Sequence, residues 1–301
     1  MALALRLPRR RPISGCSTKP PCWGATAACF GHATPPDPLD RGKPSRSCSG
    51  WRPSGRWRGA RRLPGPPPTS RPASSSSFQQ PGLLAEAIAS ALGQVGVPPV
   101  AVVVVDDGCP FPSGARTALD FAAAHPGRVF LLRRPNGGLS AARNTGIDFV
   151  LRAFPACRAV HFLDADNRLH PHVLARALAA LDAAPEAVGW VYPDIDEFGG
   201  RRDWTTAGGF SLLQLLGTNY CDAGSVVRRR MLDHGLRFDE SLRQGFEDWD
   251  FWLTAAGRGW RGQHLPMAGF RYRRRPESML SASERLRPCC SASCTASMRR
   301  C

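Results

Sequence analysis

The chain has 301 residues, of which 43% are hydrophobic, 8% aromatic and 21% charged, and this composition excludes a collagen-like, wholly disordered or coiled-coil protein. No run of about 18 uncharged apolar residues occurs, so the sequence predicts no membrane-spanning helix. The net charge of +16 suggests a nucleic-acid-binding protein until the charge is located along the chain.

The basic residues lie at the two ends of the chain. Residues 1–78 contain 14 Lys and Arg against two acids, and the last 17 residues contain four Arg and no acid. Residues 79–284 contain 22 Arg and 22 acids and carry no net charge. The sequence therefore predicts a disordered basic tail rich in Pro, Ser and Arg over 1–78, a globular domain over 79–284, and a disordered Cys- and Arg-rich tail over 285–301.

Two interpretations of the tails stay open. The Arg-rich, acid-poor N-terminus is typical of a transit peptide and lacks the apolar segment of a secretory signal. The alternative is that both tails are non-native sequence, for example from a misplaced start or a shifted reading frame. Eight of the 11 cysteines lie in the tails without CxxC spacing, so no zinc site is predicted, and the few cysteines of the domain are typical of a reducing compartment.

Strands and helices alternate along the domain. In chain order, the pattern predicts a helix over 83–96, a strand over 100–108, a helix over 115–127, a strand and loop over 128–138, a helix over 139–154, a strand over 159–167, a helix over 170–185 and a strand with a turn over 187–200. This alternation favours an α/β fold whose mostly parallel sheet is covered on both faces. In such sheets, ligands bind beyond the carboxyl ends of the strands.

Acidic residues follow two of the predicted strands. Asp106 and Asp107 end the first one, in a sequence that also suits a simple turn. Asp164 and Asp166 end the strand AVHFL, and two carboxylates one residue apart can bind a divalent cation that in turn holds a diphosphate. The spacing alone is weak evidence, because Asp-x-Asp occurs twice more in the domain. The position at a strand end makes Asp164 and Asp166 the better candidates.

A glycine-containing turn and an acidic helix start provide the other candidate residues. Asn136 and Gly137 precede a helix that contains Arg143, and free backbone N–H groups at such a helix start suit an anion. An ordinary strand–helix connection explains this turn equally well. Glu247 and Asp248 lie at another predicted helix start, where acids are favourable without any catalytic role.

Four motifs in register resemble the family 2 glycosyltransferases, which have the GT-A fold. The motifs are VVVVDDG at 102–108, NGGLSAARNTGI at 136–147, FLDADN at 162–167 and GFEDWDFWL at 245–253, with a looser match in RYRRRPESM at 271–279. The resemblance covers residues 79–280 and implies a three-layer α/β/α fold. It places a nucleotide-binding half over 79–166 and an acceptor half over 167–284.

The resemblance also implies roles for individual residues. The nucleotide sugar would be bound by Asp106, Asp107, Arg134, Asn136, Gly137, Arg143 and Asp164. Asp164 and Asp166 would hold Mn²⁺ or Mg²⁺, with Asp166 the more direct ligand. Glu247 and Asp248 would be catalytic, with Asp248 as the general base that takes the proton from the acceptor hydroxyl.

The implied activity is metal-dependent transfer of a sugar, with inversion, from a nucleotide-diphosphate sugar to an acceptor hydroxyl. A UDP-sugar is the expected donor, and the expected acceptor is a saccharide, a lipid-linked molecule or a protein. The expected location is the cytoplasm, with contact to the cytoplasmic membrane face through the acceptor. No specific nucleic-acid partner is expected.

The sequence departs from the family where the domain begins. Family members open with an apolar strand that ends in a Pro-x-Tyr-Asn-like turn, whereas this chain has RPASSSSFQQPG at 71–82. The first strand is therefore predicted to be missing, which would leave its neighbours unpaired. Two alternatives stay open: a catalytically inactive relative that lacks this strand, and a polyanion-binding or nucleic-acid-binding protein that acts through the basic tail.

Overall fold

The computed structural model describes residues 2–6, 81–97, 100–199, 203–243 and 245–274. The predictions of a disordered tail over 7–78 and over 285–301 lie outside the described residues. Within these ranges, the strands are β1 (Ala2–Arg6), β2 (Val100–Asp106), β3 (Val129–Arg133), β4 (Ala159–Leu163), β5 (Arg168–Leu169), β6 (Val188–Phe198), β7 (Trp204–Thr205), β8 (Val226–Arg228) and β9 (Arg261–Arg273). The helices are α1 (Pro81–Leu92), α2 (Pro112–Ala124), α3 (Leu139–Ala153), α4 (Val173–Ala183), α5 (Leu212–Gly217), α6 (Arg229–Asp233) and α7 (Glu247–Gly257).

Two apolar clusters cover the two faces of one sheet. Alternate residues of β2 point to opposite faces, because side chains alternate along a strand. Ala101, Val103 and Val105 pack with α3, α6 and α7, while the intervening valines pack with α1, α2 and α4. The three-layer α/β/α arrangement predicted from the sequence is confirmed.

The described strands form one mixed sheet in the order β3-β2-β1-β4-β8-β6-β9-β5, with β7 paired to β6. The pairs β2–β3 and β6–β9 are parallel, and the other described pairs are antiparallel. Five strands, β2, β3, β4, β6 and β9, nevertheless run in the same direction. Their carboxyl ends therefore meet along one edge, where the sequence predicts the ligand site.

The central strand β1 differs from the sequence prediction. It lies between β2 and β4 and runs antiparallel to both, with Ala2 opposite Val104 and Leu163. The sequence predicts that the central first strand is missing, whereas its place is filled by residues that the sequence analysis assigned to a disordered tail. The physical reason is that β2 and β4 are buried and need partners for their backbone groups. The short apolar run ALAL at 2–5 was the available signal.

Candidate active site

A cavity of about 380 Å³ lies at the carboxyl edge of the sheet. It is bounded by the ends of β4, β6 and β9 and by the starts of α3 and α7. Its lining residues include the predicted site residues Arg143, Asp164, Glu247 and Asp248. The structure thus brings together residues that are separated by about 100 positions in the sequence.

Arg143 links the two sides of this cavity. Its guanidinium is buried, donates from Nη1 to Oε1 of Glu247 at 2.6 Å and from Nη2 to Oδ1 of Asp164 at 3.2 Å, and lies over the ring of Phe238. Burial alone would lower the pKa of Arg143, but the charges of Glu247, Asp164 and Asp248 raise this pKa above its ordinary value. Arg143 therefore carries a permanent positive charge between the acids. The sequence analysis expected it along the nucleotide pocket.

Asp248 has a strongly perturbed carboxyl group. Burial raises the pKa of Asp248 to about 8, and the nearby carboxylates of Glu247 and Asp222 act in the same direction. Arg143 and a hydrogen bond to Asn219 partly oppose the increase. A carboxylate with a pKa near neutrality is suited to accept a proton from a hydroxyl group.

The start of α7 holds Glu247 and Asp248 in place. The preceding residue, Phe246, has a left-handed backbone with φ of 61°, and a non-glycine residue in this region is strained. Two contacts fix the turn: the ring of Phe246 packs against Trp249, and the indole N–H of Trp249 donates to the carbonyl oxygen of Leu215 at 2.6 Å. The predicted helix start at Glu247 is confirmed.

Asp222 is a cavity residue that the sequence analysis missed. Its Oδ1 accepts a hydrogen bond from the backbone N–H of Gly224 at 2.7 Å. Burial raises the pKa of Asp222 to about 6, with a further contribution from the charge of Asp164. Burial and Asp222 together also raise the pKa of the Tyr272 hydroxyl. The only available signal was the isolated DAGS sequence, which has no characteristic spacing.

The predicted nucleotide-binding loop forms a separate cluster. The carboxylate of Asp107 accepts hydrogen bonds from the backbone N–H groups of Gly137 at 3.0 Å and Gly138 at 2.7 Å, and lies 3.2 Å from Nε of Arg134. Asn136 donates to the carbonyl oxygen of Asp107 at 3.0 Å. Gly138 has a positive φ of 93°, a backbone conformation that favours glycine at this position of the loop. These residues are brought together, but they are not among the residues that line the cavity.

Asp106 also accepts hydrogen bonds from residues close to the predicted nucleotide-binding loop. One carboxylate oxygen accepts from the backbone N–H of Cys109 at 2.9 Å, and the other accepts from Nε of Arg133 at 3.2 Å. Asp106 is buried at the end of β2. These contacts link the end of β2 to the turn that follows it and to the end of β3.

The acidic side chains of the cavity suit a divalent cation. Asp164, Asp222, Glu247 and Asp248 face the cavity, and Arg143 pairs with two of them. No group of three or more His, Cys, Asp or Glu side chains within the described ranges is arranged to hold a metal by itself. Mg²⁺ is typically held by one or two carboxylates together with substrate phosphates, so the hard oxygen donors fit such a cation bound with its substrate.

The two residues of the Asp-x-Asp pair differ in position. Asp164 lines the cavity, whereas Asp166 is not among the lining residues. The backbone oxygen of Asp166 accepts from Nε of Arg273 at 2.9 Å, and the adjacent Asn167 accepts from the backbone N–H of the same arginine. β9 therefore fixes the segment that carries both acids.

A sequence profile of "Glycosyl transferase family 2" matches residues 76–236, more than half of the chain. The chain belongs to this family. The matched span contains the loop of Asp107, the α3 residue Arg143 and the Asp164 strand end, and it stops before α7. The fold is accordingly that of the GT-A glycosyltransferases, as the motifs predict.

Two curated relatives of this family 2 chain are biosynthetic proteins. It is 36% identical over 104 residues to the succinoglycan biosynthesis protein ExoW of Rhizobium meliloti, which covers 34% of this chain and 31% of that protein. It is 39% identical over 97 residues to polyprenol monophosphomannose synthase of Mycolicibacterium smegmatis, which covers 32% of this chain and 36% of that protein. The matches thus span about a third of the length of these relatives.

A solved structure shows the same fold at low sequence identity. The crystal structure of TarS from S. aureus superposes with a TM-score of 0.51 and 20% identity, over 65% of this chain and 58% of the TarS chain.

Among the described helices of the family 2 chain, none has the length and apolar character to cross a membrane.

Proposed function

We propose that the chain transfers a sugar from a nucleotide-diphosphate sugar to an acceptor hydroxyl, with inversion at the anomeric carbon and with a divalent cation. Membership of the family supports sugar transfer. The observation that carries the proposal is the shared cavity, in which Asp164 at the end of β4 faces Asp248 at the start of α7. This arrangement provides a donor side and a proton-accepting side in one space.

Asp248 is the proposed general base. Its carboxylate accepts the proton of the acceptor hydroxyl while the hydroxyl oxygen forms a bond to the anomeric carbon. The bond between that carbon and the phosphate oxygen breaks, and the electron pair leaves with the diphosphate. A single displacement of this kind inverts the anomeric configuration and needs no covalent enzyme intermediate.

Arg143 and Glu247 are proposed to keep the two sides aligned. Arg143 holds Glu247 and Asp164 through its two terminal nitrogens. A planar guanidinium fixes both the distance and the angle between its partners, which a lysine cannot do. Such alignment of the reacting groups supplies a large part of an enzyme's rate enhancement.

Asp164 and Asp166 are the proposed cation-holding residues, and Mn²⁺ or Mg²⁺ is the proposed cation. When bound, such a cation stabilises the negative charge of the departing diphosphate. The loop around Asp107, Arg134 and Asn136 is proposed to border the nucleotide. We also propose that the donor is a UDP-sugar and that the acceptor is a saccharide, a lipid-linked molecule or a protein. The proposed location is the cytoplasm.

The test of the general base is Asp248→Asn, which keeps the shape and removes the proton acceptor. Turnover should fall by about 10²–10⁴, as expected for loss of general base catalysis. The affinity for the nucleotide, measured by calorimetry, should stay unchanged. In the parent chain, kcat/KM should fall as the pH drops below about 8, because protonated Asp248 cannot accept a proton.

The matched control is Asp120→Asn, an exposed carboxylate on α2 that should leave turnover and its pH profile unchanged. If Asp248→Asn keeps the parental rate, or loses nucleotide affinity instead, the assignment is wrong. If the parent chain transfers no sugar from any nucleotide donor, the inactive-relative alternative is supported.

The cation is tested separately with EDTA and with Asp166→Ala. Both should abolish transfer, since the diphosphate would leave without charge compensation. Circular dichroism should show an unchanged fold, and added Mn²⁺ should restore the chelated parent but not the variant. Undiminished turnover in EDTA would contradict the metal role.

A further inference from the structure

The exposed large hydrophobic side chains of the described ranges are concentrated in one segment. Of seven such residues, four lie between positions 204 and 216: Trp204 is 53% exposed, Leu212 48%, Leu213 82% and Leu216 46%. We call these four residues the leucine surface. Three of the four share the short helix α5, and neighbouring exposed apolar residues mark interaction sites more often than scattered ones do.

Hydrogen bonds fix the helix α5, which exposes three of its four leucines. Leu215 is buried, and its carbonyl oxygen accepts the indole N–H of Trp249, which is next to Asp248 in α7. Ser211 caps the start of the helix by accepting from the backbone N–H of Gln214. Leu212, Leu213 and Leu216 lie within about a third of the helix circumference, and all three are exposed.

The segment around the leucine surface carries no charge. All 18 residues between Asp203 and Asp222 are uncharged. A partner that is recognised through its charge, such as an acidic peptide or a nucleic acid, has no counterpart here. Leucines with a tryptophan and without charges suit the boundary between the acyl chains and headgroups of a lipid bilayer.

The size of the leucine surface argues against a second copy of the chain as its partner. Four partly exposed side chains provide roughly a few hundred Å², whereas a stable interface buries about 800 Å² on each partner. Insertion into a bilayer does not require a complementary protein surface. The area therefore favours lipid.

The two parts of the leucine surface, Trp204 and α5, each adjoin in sequence a residue that lines the cavity. Thr205, which follows Trp204, and Thr218, which follows α5, both line the cavity. A molecule anchored in a bilayer at the leucine surface would therefore present its headgroup to the cavity opening. In a cavity that holds Asp248, a hydroxyl on that headgroup would be an acceptor.

We propose that the leucine surface docks the protein on a lipid bilayer and that the acceptor is lipid-linked. The docking itself is independent of catalysis, while the identity of the acceptor rests on the proposed function.

The docking is tested by flotation of the full chain with phosphatidylcholine vesicles, at a salt concentration that screens the basic ends. Leu213→Ser should lower the vesicle partition coefficient by at least about fivefold, given the hydrophobic free energy of half-burying one leucine. Leu119→Ser, a leucine of equal type on α2 that is 53% exposed, should leave the partition coefficient unchanged. Vesicles should also shift the tryptophan emission of the parent to shorter wavelength, and Trp204→Phe should reduce this shift.

The docking is overturned if the parent does not float, or if Leu213→Ser and the parent float equally. It is also overturned if sedimentation velocity shows a parent dimer that Leu213→Ser dissociates. Donor hydrolysis by water, measured without vesicles, separates the two proposals. Donor hydrolysis without flotation supports the proposed function and overturns the docking. Flotation without any donor turnover supports the docking and contradicts the proposed function. Equal transfer by parent and Leu213→Ser to an acceptor lipid in vesicles would overturn the lipid-linked acceptor.

Discussion

At the scale of single residues, Arg143 has the largest structural role in the site. Its side chain is 2% exposed and pairs with Glu247, which is 8% exposed. Removing one partner of a buried ion pair leaves the other charge buried without compensation, and this loss costs more than the pair contributes. The sequence analysis identified Arg143 as a site residue, but it could not predict the partner Glu247, since a contact across 104 positions depends on the packing of α7 against α3.

Arg143→Met should lower the free energy of unfolding by about 3–5 kcal/mol, because the buried carboxylate of Glu247 would lose its compensating charge. Urea denaturation followed by circular dichroism measures this change. Arg116→Met removes an exposed pair with Asp120 on α2 and should change the stability by less than about 0.5 kcal/mol. Equal midpoints for the two variants would show that the buried pair does not hold the cavity together.

At the scale of elements, the sequence predicted the regular parts of the fold well. Apart from the two-residue β5, which was not predicted, the helices and strands from α1 to β6 were found near their predicted positions because apolar periodicity determines which face is buried. The loops were less predictable. The short α5 and the cavity residue Asp222 have no periodic signal. The position of α5 follows from the long-range contact between Leu215 and Trp249, and Asp222 lies in a local turn in which its carboxylate accepts from the backbone N–H of Gly224.

The connection between β3 and α3 depends on Asp107. Asp107→Ala should lower the free energy of unfolding by about 2–3 kcal/mol, because the N–H groups of Gly137 and Gly138 and the charge of Arg134 lose their acceptor. Hydrogen exchange at the two glycines should accelerate more than exchange in α4. Asp120→Ala on α2 is the control with an exposed carboxylate. Unchanged exchange at Gly137 and Gly138 in Asp107→Ala would show that the loop is held by other contacts.

At the scale of the whole molecule, the gap between β2 and β4 in the sheet is filled by β1, which lies more than 90 residues before β2 in the sequence. β1 pairs with β2 and β4 through five residues on each side. Parallel strands on either side of a gap would expose their backbone groups, so β1 completes the hydrogen bonding of the sheet centre. The sequence could not predict this, because its α/β pattern indicates parallel neighbours, and the short strand precedes a long basic segment.

A chain that lacks residues 1–6 should lose its cooperative thermal unfolding transition, since two buried strands would lose their central partner. Circular dichroism and hydrogen exchange in β2 and β4 measure the effect. A chain that lacks residues 289–301, outside the described ranges, is the control for shortening. If the N-terminally shortened chain unfolds like the parent, β1 contributes little to the stability of the sheet.

The direction of β1 has a consequence for handling the protein. Because β1 is antiparallel to β4, Ala2 lies opposite Leu163, the residue before Asp164. An affinity tag or fluorescent protein fused ahead of Ala2 would therefore emerge at the edge of the sheet where the cavity opens, beside the carboxylates. Purification and labelling schemes for binding assays should leave the amino terminus unmodified and attach reporters to the exposed face of α2 instead.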